Sequence, residues 1–399
     1  MESSLAQWRM DTPGVAHCIH LNNAGAALMP QVVIDAMQHY LQLEATIGGY
    51  EAEATSQAQI EGFYSEVAQL LHCDARHIAY TSSATDAYNR ALSAIPFQAG
   101  DTIVTTNNDY VSNQIAFLQL QKRFGLRLLR ASDLPEGGVD PDSVRALVQQ
   151  YRPALVAVTH VPTNSGLVQD VAAVGQICAE TDTWYLVDAC QSVGQLPIAV
   201  SEIQCDFMSA TFRKFLRGPR GAGFLYVSDK ALNAGIEPLF LDLLSATWTA
   251  PAAYVPHRDA HRFELWERPH ALMLGSKSAT TYALQVGMSA IAQRVQYLAD
   301  FCRSQLSALP GVRNLDQGTL RCGITSYTID HVHPDALKAM LAQQHINVTI
   351  PRWNNAVIDF TAKNVTWALR VSPHYYNTET EIEMLVEAIR SIIAGGYSA

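Results

Sequence analysis

Apolar and polar residues follow two rhythms along the first two-thirds of the chain. Short runs, mostly apolar or β-branched, recur at 77–81 (HIAYT), 102–106 (TIVTT), 126–130 (LRLLR), 155–159 (LVAVT), 184–188 (WYLVD), 206–210 (DFMSA) and 223–227 (GFLYV). Between most of them lie amphipathic segments with helical spacing, at 57–71, 111–123, 141–150 and 168–181. Strands that alternate with helices in this way predict an α/β fold. Its centre is a mainly parallel seven-stranded sheet with helices on both faces. The last run follows the Gly218-Pro219 turn closely, which suits an antiparallel member.

Beyond residue 245 the rhythm weakens. The stretch 245–270, containing TWTAPAAYVPHRDAH, predicts a loop crossing between parts. One long helix is expected near 275–308, then two or three strands and two helices, the last at 378–394. These form a smaller α+β C-terminal domain. The expected division is a large domain over 15–255 and a small one made of 1–14 and 256–399.

Composition narrows the function classes. The chain has 399 residues, 48% hydrophobic and 16% charged, enough for a large buried core and unlike a disordered chain. The formal charge is -10 and no lysine/arginine tract is present, so no nucleic-acid partner is expected. No run approaches 18 uncharged apolar residues, and MESSLAQWRMDTPG lacks a charged start followed by an apolar run. Neither a membrane span nor a signal peptide is expected, which points to the cytoplasm. Cys18, Cys73, Cys178, Cys190, Cys205, Cys302 and Cys322 are scattered without a C-x-x-C pair. They read as reduced thiols, and no metal site is expected.

Open parallel sheets bind ligands at the carboxyl ends of their strands. After 77–81 comes Ser82-Ser83-Ala84-Thr85-Asp86 at a helix start, either a plain cap or an anion site. After 102–106 comes Tyr110, either core or a ring-stacking group. After 155–159 lies the polar turn His160–Gly166. The strand 184–188 ends in Asp188, a carboxylate that is costly to bury unless paired, by a structural salt bridge or by a bound cation. Lys214, one of only six lysines, stands 26 residues later in SATFRKFLRGPRGAG, among Arg213, Arg217 and Arg220. Each feature is weak alone. A phosphate site, an aromatic, a buried aspartate and a lysine after successive strands suit one cofactor, pyridoxal 5'-phosphate.

With these residues the chain resembles the fold-type I, class V aminotransferases, a superfamily that includes cysteine desulfurases and isopenicillin N epimerase. The likeness runs from HLNNAGAALMP (20–30) to RVSPHYYNTETEIEML (370–385). LVDACQSVGQLP and RKFLRGPRGAGFLYVS carry it most specifically. The resemblance implies that Lys214 holds the cofactor covalently and that Asp188 pairs with its pyridine nitrogen. It implies that Gln191 bonds the phenolate oxygen. Ala84, Thr85, Thr211 and Arg213, with Ser83 beside them, would hold the phosphate. Arg213 stands where desulfurases usually place a histidine, and an arginine fork grips phosphate well. Tyr110 stands where desulfurases stack a histidine on the ring. Thr163 and Asn164 would lie beside ring and substrate. Arg370 would clamp the carboxylate of a small amino-acid substrate, with Asn23 and Ala24 lining the same pocket. Arg217 and Arg220 keep the plain reading of solvated or pairing charges.

The resemblance further implies a homodimer with the active site at the interface. The block RFELWE, starting at Arg262, matches relatives in which a nearby residue reaches the partner's cofactor; they carry a threonine where this chain has Trp266-Glu267. Desulfurases also need a thiol on a mobile loop upstream of the carboxylate-binding arginine. That loop here reads TIPRWNNAVIDFTAKN, and no cysteine lies between Cys322 and Arg370. Cys322 itself is expected to be a buried strand residue. What remains is chemistry at Cα–H, with Lys214 as the base. The blocks GGYEAE (48–53), DYVSN (109–113), RKFLRGPRG and HYYNTE look closest to the subgroup of ergothioneine-pathway C–S lyases and epimerase-like proteins. β-Elimination of a sulfur-substituted cysteine is therefore expected first. Class V aminotransferase, epimerase and a non-catalytic cofactor-binding protein are the alternatives. Tyr50, Trp266 and Trp353 are candidate pocket walls.

Overall fold

The computed structural model describes residues 2–395. Its centre is a seven-stranded sheet built from β1 (Ile78–Thr81), β2 (Thr102–Thr105), β3 (Arg127–Arg130), β4 (Leu155–Thr159), β5 (Trp184–Asp188), β6 (Phe207–Thr211) and β7 (Gly223–Val227). The spatial order is β1-β7-β6-β5-β4-β2-β3. Only β7 is reversed, pairing antiparallel with both β1 and β6. The turn after β6 is too short for a helical crossover, so the chain must double back there. Helices Ala84–Ala94, Val111–Phe124, Pro141–Tyr151, Val171–Ala179 and the one-turn Val200–Ile203 lie in the other connections. Every residue of β1, β2, β4, β6 and β7 is buried, which is why these strands are continuous apolar runs. β3 is an edge strand, and its two arginines face outward.

A second, three-stranded antiparallel sheet joins Val312–Asn314, Thr325–Ile329 and Leu369–Val371. Helices Met288–Ser307 and Glu379–Ala394 cover it, and Leu298, Cys302, Tyr327, Leu369, Ile382 and Ile389 share one core there. Strand Leu369–Val371 carries Arg370 from this smaller sheet towards the loop at Thr163.

Three sequence expectations need correction. The loop expected at 245–270 contains a hairpin, Ala246–Ala250 against Ala253–Pro256, then a 3-10 turn at Ala260–Phe263. Both hairpin strands are mostly exposed, with Trp248 78% accessible, so burial imposes no alternation on them. The single helix near 275–308 is two helices, His270–Val286 and Met288–Ser307. They break at Gly287, whose φ of +90° suits glycine far better than any other residue. The apolar period runs through that break undisturbed. The first of these helices lies on Gln31–Ile47 and Gly49–Leu71, whereas the second packs on the small sheet.

The third correction is Arg217. It is neither solvated nor ion-paired, being 1% exposed with no acid in salt-bridge range among the described residues. Arg220 is exposed, as expected of a turn. Among the described residues no helix is long and apolar enough to cross a membrane.

Candidate active site

A narrow cavity of about 60 Å³ opens at the carboxyl ends of the central strands. Ser83, Ala84, Thr85, Tyr110, Thr163, Asp188, Gln191, Thr211, Arg213 and Lys214 line it, together with Asn113, Thr159, Val161 and Cys190.

Asp188 closes β5 and is buried. Its Oδ1 accepts from the Cys190 N–H at 2.9 Å and its Oδ2 from the Asn113 amide at 3.1 Å. Among the described residues it has no ion-pair partner. Burial raises its pKa above the ordinary carboxylate value, while these hydrogen bonds and Lys214 oppose the rise. A protonated nitrogen is the partner such a carboxylate lacks.

Lys214 lies on the turn after β6 and is 6% exposed. Its Nζ donates to Cys190 Sγ at 3.2 Å. Burial is the largest influence and lowers its pKa; Arg213 acts in the same sense, whereas Cys190 and Asp188 oppose it. The amine is thus poised to be neutral at lower pH than an exposed lysine.

The anion end is built on the helix Ala84–Ala94. Ser83 caps it, its Oγ accepting from the Asp86 N–H at 3.1 Å. Accepting that N–H leaves the hydroxyl proton free, and the first-turn N–H groups of Ala84 and Thr85 also lie at the cavity, where the helix dipole favours negative charge. The Arg213 guanidinium lies at the same cavity, bonded to the Gly25 carbonyl. Thr211 Oγ1 donates to the Ala222 carbonyl at 3.1 Å. A Cβ on Gly223 would sit 2.6 Å from the Ser83 carbonyl carbon and 2.9 Å from Ala84 N, so glycine lets β7 run against the helix start.

Gln191 donates its amide to the Ala24 carbonyl at 3.1 Å and to Thr163 Oγ1 at 2.7 Å. Its Oε1 is buried with no hydrogen-bond partner among the described residues. The nitrogen expected to meet a phenolate is therefore engaged within the protein. Tyr110 immediately precedes the helix Val111–Phe124 and lines the cavity half-buried.

Arg370 is buried. Its Nη1 donates to Thr163 Oγ1 at 2.9 Å and to the Thr163 carbonyl at 3.0 Å; its Nη2 reaches Asn22 Oδ1 at 3.3 Å. Its Nε has no partner, and no acid lies in salt-bridge range, among the described residues. Burial first, then Arg213, push its pKa down to about 10, so it remains a cation at neutral pH. A buried cation without an acid is suited to a nearby anion; Arg370 lies behind Thr163 and not in the cavity wall itself.

The other expected residues lie elsewhere. Asn164 faces a neighbouring cavity, its amide reaching the Asn355 carbonyl at 3.3 Å. Asn23 is occupied by the fold: its amide donates to the Ser372 and His20 carbonyls at 2.8 and 3.2 Å, and its Oδ1 accepts from Tyr376. It offers nothing to a substrate; Asn22, one residue earlier, is the group beside Arg370. Ala24 contributes its carbonyl to Gln191. Arg262 bonds the His257, Leu232 and Ile236 carbonyls, and Glu264 takes the Tyr80 N–H, the Tyr64 hydroxyl and Arg268, so this block bolts loops together. Tyr50, Trp266 and Trp353 are exposed and line neither cavity.

Asn113 and Cys190 carried no assigned role in the sequence reading. Asn113 sits in the first turn of the helix Val111–Phe124 and bonds both Asp109, just before that helix, and Asp188. Cys190 sits two residues past the strand-end aspartate, facing the lysine. An unpaired carboxylate, a buried amine and a cationic helix-start cradle in one cavity fit pyridoxal 5'-phosphate.

Comparison with known proteins agrees with that fit. Residues 19–385 match the family described as Aminotransferase class-V, and the chain belongs to it. It is 27% identical over 400 residues to a probable cysteine desulfurase of Methanothermobacter thermautotrophicus, covering 97% of this chain and 98% of that protein. It is also 27% identical over 390 residues to a probable hercynylcysteine sulfoxide lyase of Mycobacterium tuberculosis, with 97% and 93% covered. Among solved structures, the apo cysteine desulfurase of Thermococcus onnurineus superposes with a TM-score of 0.89 at 23% identity, over 97% of each chain, and shares the fold.

Proposed function

We propose that this member of the class V aminotransferase family is a pyridoxal phosphate-dependent C–S lyase acting on a sulfur-substituted cysteine, working as a homodimer. The observation that carries it is a buried amine, Lys214, in a cavity walled by Thr163, which a buried, acid-free guanidinium, Arg370, holds in turn, with no cysteine on the neighbouring loop to receive sulfur; the cavity's own thiol, Cys190, is held against the Lys214 amine instead. The loop from 349 to 364 contains no cysteine. Cys322 is 1% exposed and burial pushes its thiol up to about 12, which suits a packing residue. The likeness to a probable hercynylcysteine sulfoxide lyase supports the same reading.

The N–H groups of Ala84 and Thr85, with the Ser83 hydroxyl and Arg213, would hold the phosphate, and Asp188 the ring nitrogen; Thr211 lines the site but gives its hydroxyl proton to the Ala222 carbonyl. Bound pyridoxal phosphate supplies an electron sink for charge that develops at the substrate Cα. Arg370 takes the α-carboxylate and orients the Cα–H bond. Lys214 removes that proton. The Cα–H electron pair becomes the Cα–Cβ double bond, and sulfur leaves with the Cβ–S pair. Hydrolysis of the residual enamine yields pyruvate and ammonia. Burial of the site excludes water that would otherwise reprotonate Cα.

Incubation of the cofactor-loaded protein with S-alkylcysteines and their sulfoxides tests this. Pyruvate and ammonia should form without added keto acid. A strict requirement for keto acid would instead identify a transaminase. Deuterium uptake at Cα without product would identify an epimerase.

A further inference from the structure

A second cavity, of about 250 Å³, adjoins the first and shares Thr163 as a wall. Its sides are Val111, Ile115, Leu118, Pro162, Val357 and Ile358. The helix after Tyr110, the turn after β4 and residues 355–359 thus form a largely apolar cleft whose outer wall, Ile115, Leu118 and Val357, is exposed. It begins where Arg370 holds Thr163. A cysteine side chain does not need that space; roughly 300–1,000 Å³ is usual for a whole small-molecule pocket.

The charges around the chamber are already committed. Asp109 accepts from the Tyr110 N–H, Asn113, Thr159, Thr105 and Gln114. Asp359 pairs with Lys363 at 2.7 Å. Arg130 lies at the exposed rim and donates to Gln114. No free carboxylate therefore awaits a cation among the described residues. One polar atom beside the wall is unpartnered but closed off from the chamber. Asn108 donates its amide to Asp133 at 3.3 Å, which leaves its buried Oδ1 without a partner among the described residues. The oxygen is an acceptor by elimination, because the carboxylate of Asp133 needs the N–H.

We propose that this second cavity is the specificity pocket for the sulfur substituent. It takes a bulky, uncharged, largely apolar group, aryl or branched alkyl. The inference rests on the C–S lyase reading of the adjoining site. A substrate with its carboxylate at Arg370 and its Cα at Lys214 extends its sulfur past Thr163 into this chamber. Thr163 then separates the reacting end from the selected end.

The test uses cofactor-loaded protein and two α-methyl amino acids, S-benzyl-α-methylcysteine and S,α-dimethylcysteine. Neither has a Cα–H, so binding is read without turnover, by calorimetry and by the change in cofactor absorbance. Wild-type protein should bind the benzyl compound at least about tenfold more tightly. Ile115→Trp and Leu118→Trp fill the chamber from exposed positions that the fold does not need. They should weaken benzyl binding about tenfold and leave the methyl compound within about twofold. Equal affinity for both compounds in wild type, or an equal loss for both in the tryptophan variants, overturns the pocket. Pyruvate release from S-methylcysteine without any size preference keeps the lyase and removes the pocket. A size preference without pyruvate from any S-substituted cysteine keeps the pocket and removes the lyase.

Discussion

Arg217 and Arg370 are both buried, at 1% and 7% exposure, and neither meets an acid among the described residues. Their surroundings differ in completeness. Arg217 donates to the Leu28 carbonyl at 2.9 Å, the Tyr375 hydroxyl at 2.6 Å and Thr12 Oγ1 at 2.5 Å. The rings of Tyr376, Tyr375 and Tyr282 flank it, with centroids 4.4, 5.1 and 5.8 Å from the guanidinium carbon. Aromatic faces can return up to about 2 kcal/mol each to a desolvated cation. Its backbone lies in the left-handed region, φ +60°, at a cost of about 1–2 kcal/mol that the cage offsets. Arg370 has two short bonds to Thr163, one long one to Asn22, and an empty Nε. A closed guanidinium holds the fold together. An open one waits for a ligand.

The largest effect should come from Lys214, the group that only chemistry needs. Lys214→Ala should lower turnover by about 10³-fold or more while the melting temperature holds. Retained Cα–H exchange in that variant would assign the base elsewhere. The two arginines should then separate. Arg370→Lys keeps the charge but loses the fork, so KM should rise roughly tenfold to a hundredfold with little change in thermal stability. Arg217→Lys should do the reverse, costing about 2–4 kcal/mol of stability and leaving KM unchanged in the folded fraction. Denaturant melts beside steady-state kinetics decide it; a matched pattern in both variants would erase the distinction.

A smaller contrast lies in the adjacent asparagines. Asn23→Ala should cost about 1–3 kcal/mol, since it strands the buried Tyr376 hydroxyl proton and removes one donor each from the Ser372 and His20 carbonyls. Asn22→Ala should raise KM a few-fold at constant stability, because it frees the Arg370 fork from one of its supports.

These pairs also mark what the sequence could reveal. β1, β2 and β4–β7 were legible because strands with little or no exposure must be apolar on both sides, and Lys214 and Asp188 because strand ends are where ligands bind. The hairpin at 246–256 was not, since exposed strands carry no burial signal. Arg217 was hidden by its setting: a basic residue before Gly218-Pro219 looks like a solvent turn. Only Tyr375, Tyr376 and Thr12, distant in sequence, bury it. Asn23 and Asn22 differ by one position in a loop without periodicity, and backbone geometry alone decides which one turns inward.

The subtlest expected effect tests Cys190. Lys214 acts as a base only when neutral, so activity should rise with pH through its pKa, which burial has already lowered. The Cys190 sulfur accepts the ammonium N–H and so holds that pKa up. Burial raises the thiol's own pKa, so at neutral pH it remains a thiol beside the amine. Cys190→Ala removes the acceptor and favours the neutral amine further. The rising limb of the kcat profile should therefore move to lower pH, with unchanged KM, because Cys190 hydrogen-bonds neither Arg370 nor Thr163. A limb that moves to higher pH would show that Cys190 lowers the lysine pKa, and an unmoved one would make it a wall of the cavity only. Cys190→Ser, which restores an acceptor, should return the limb most of the way.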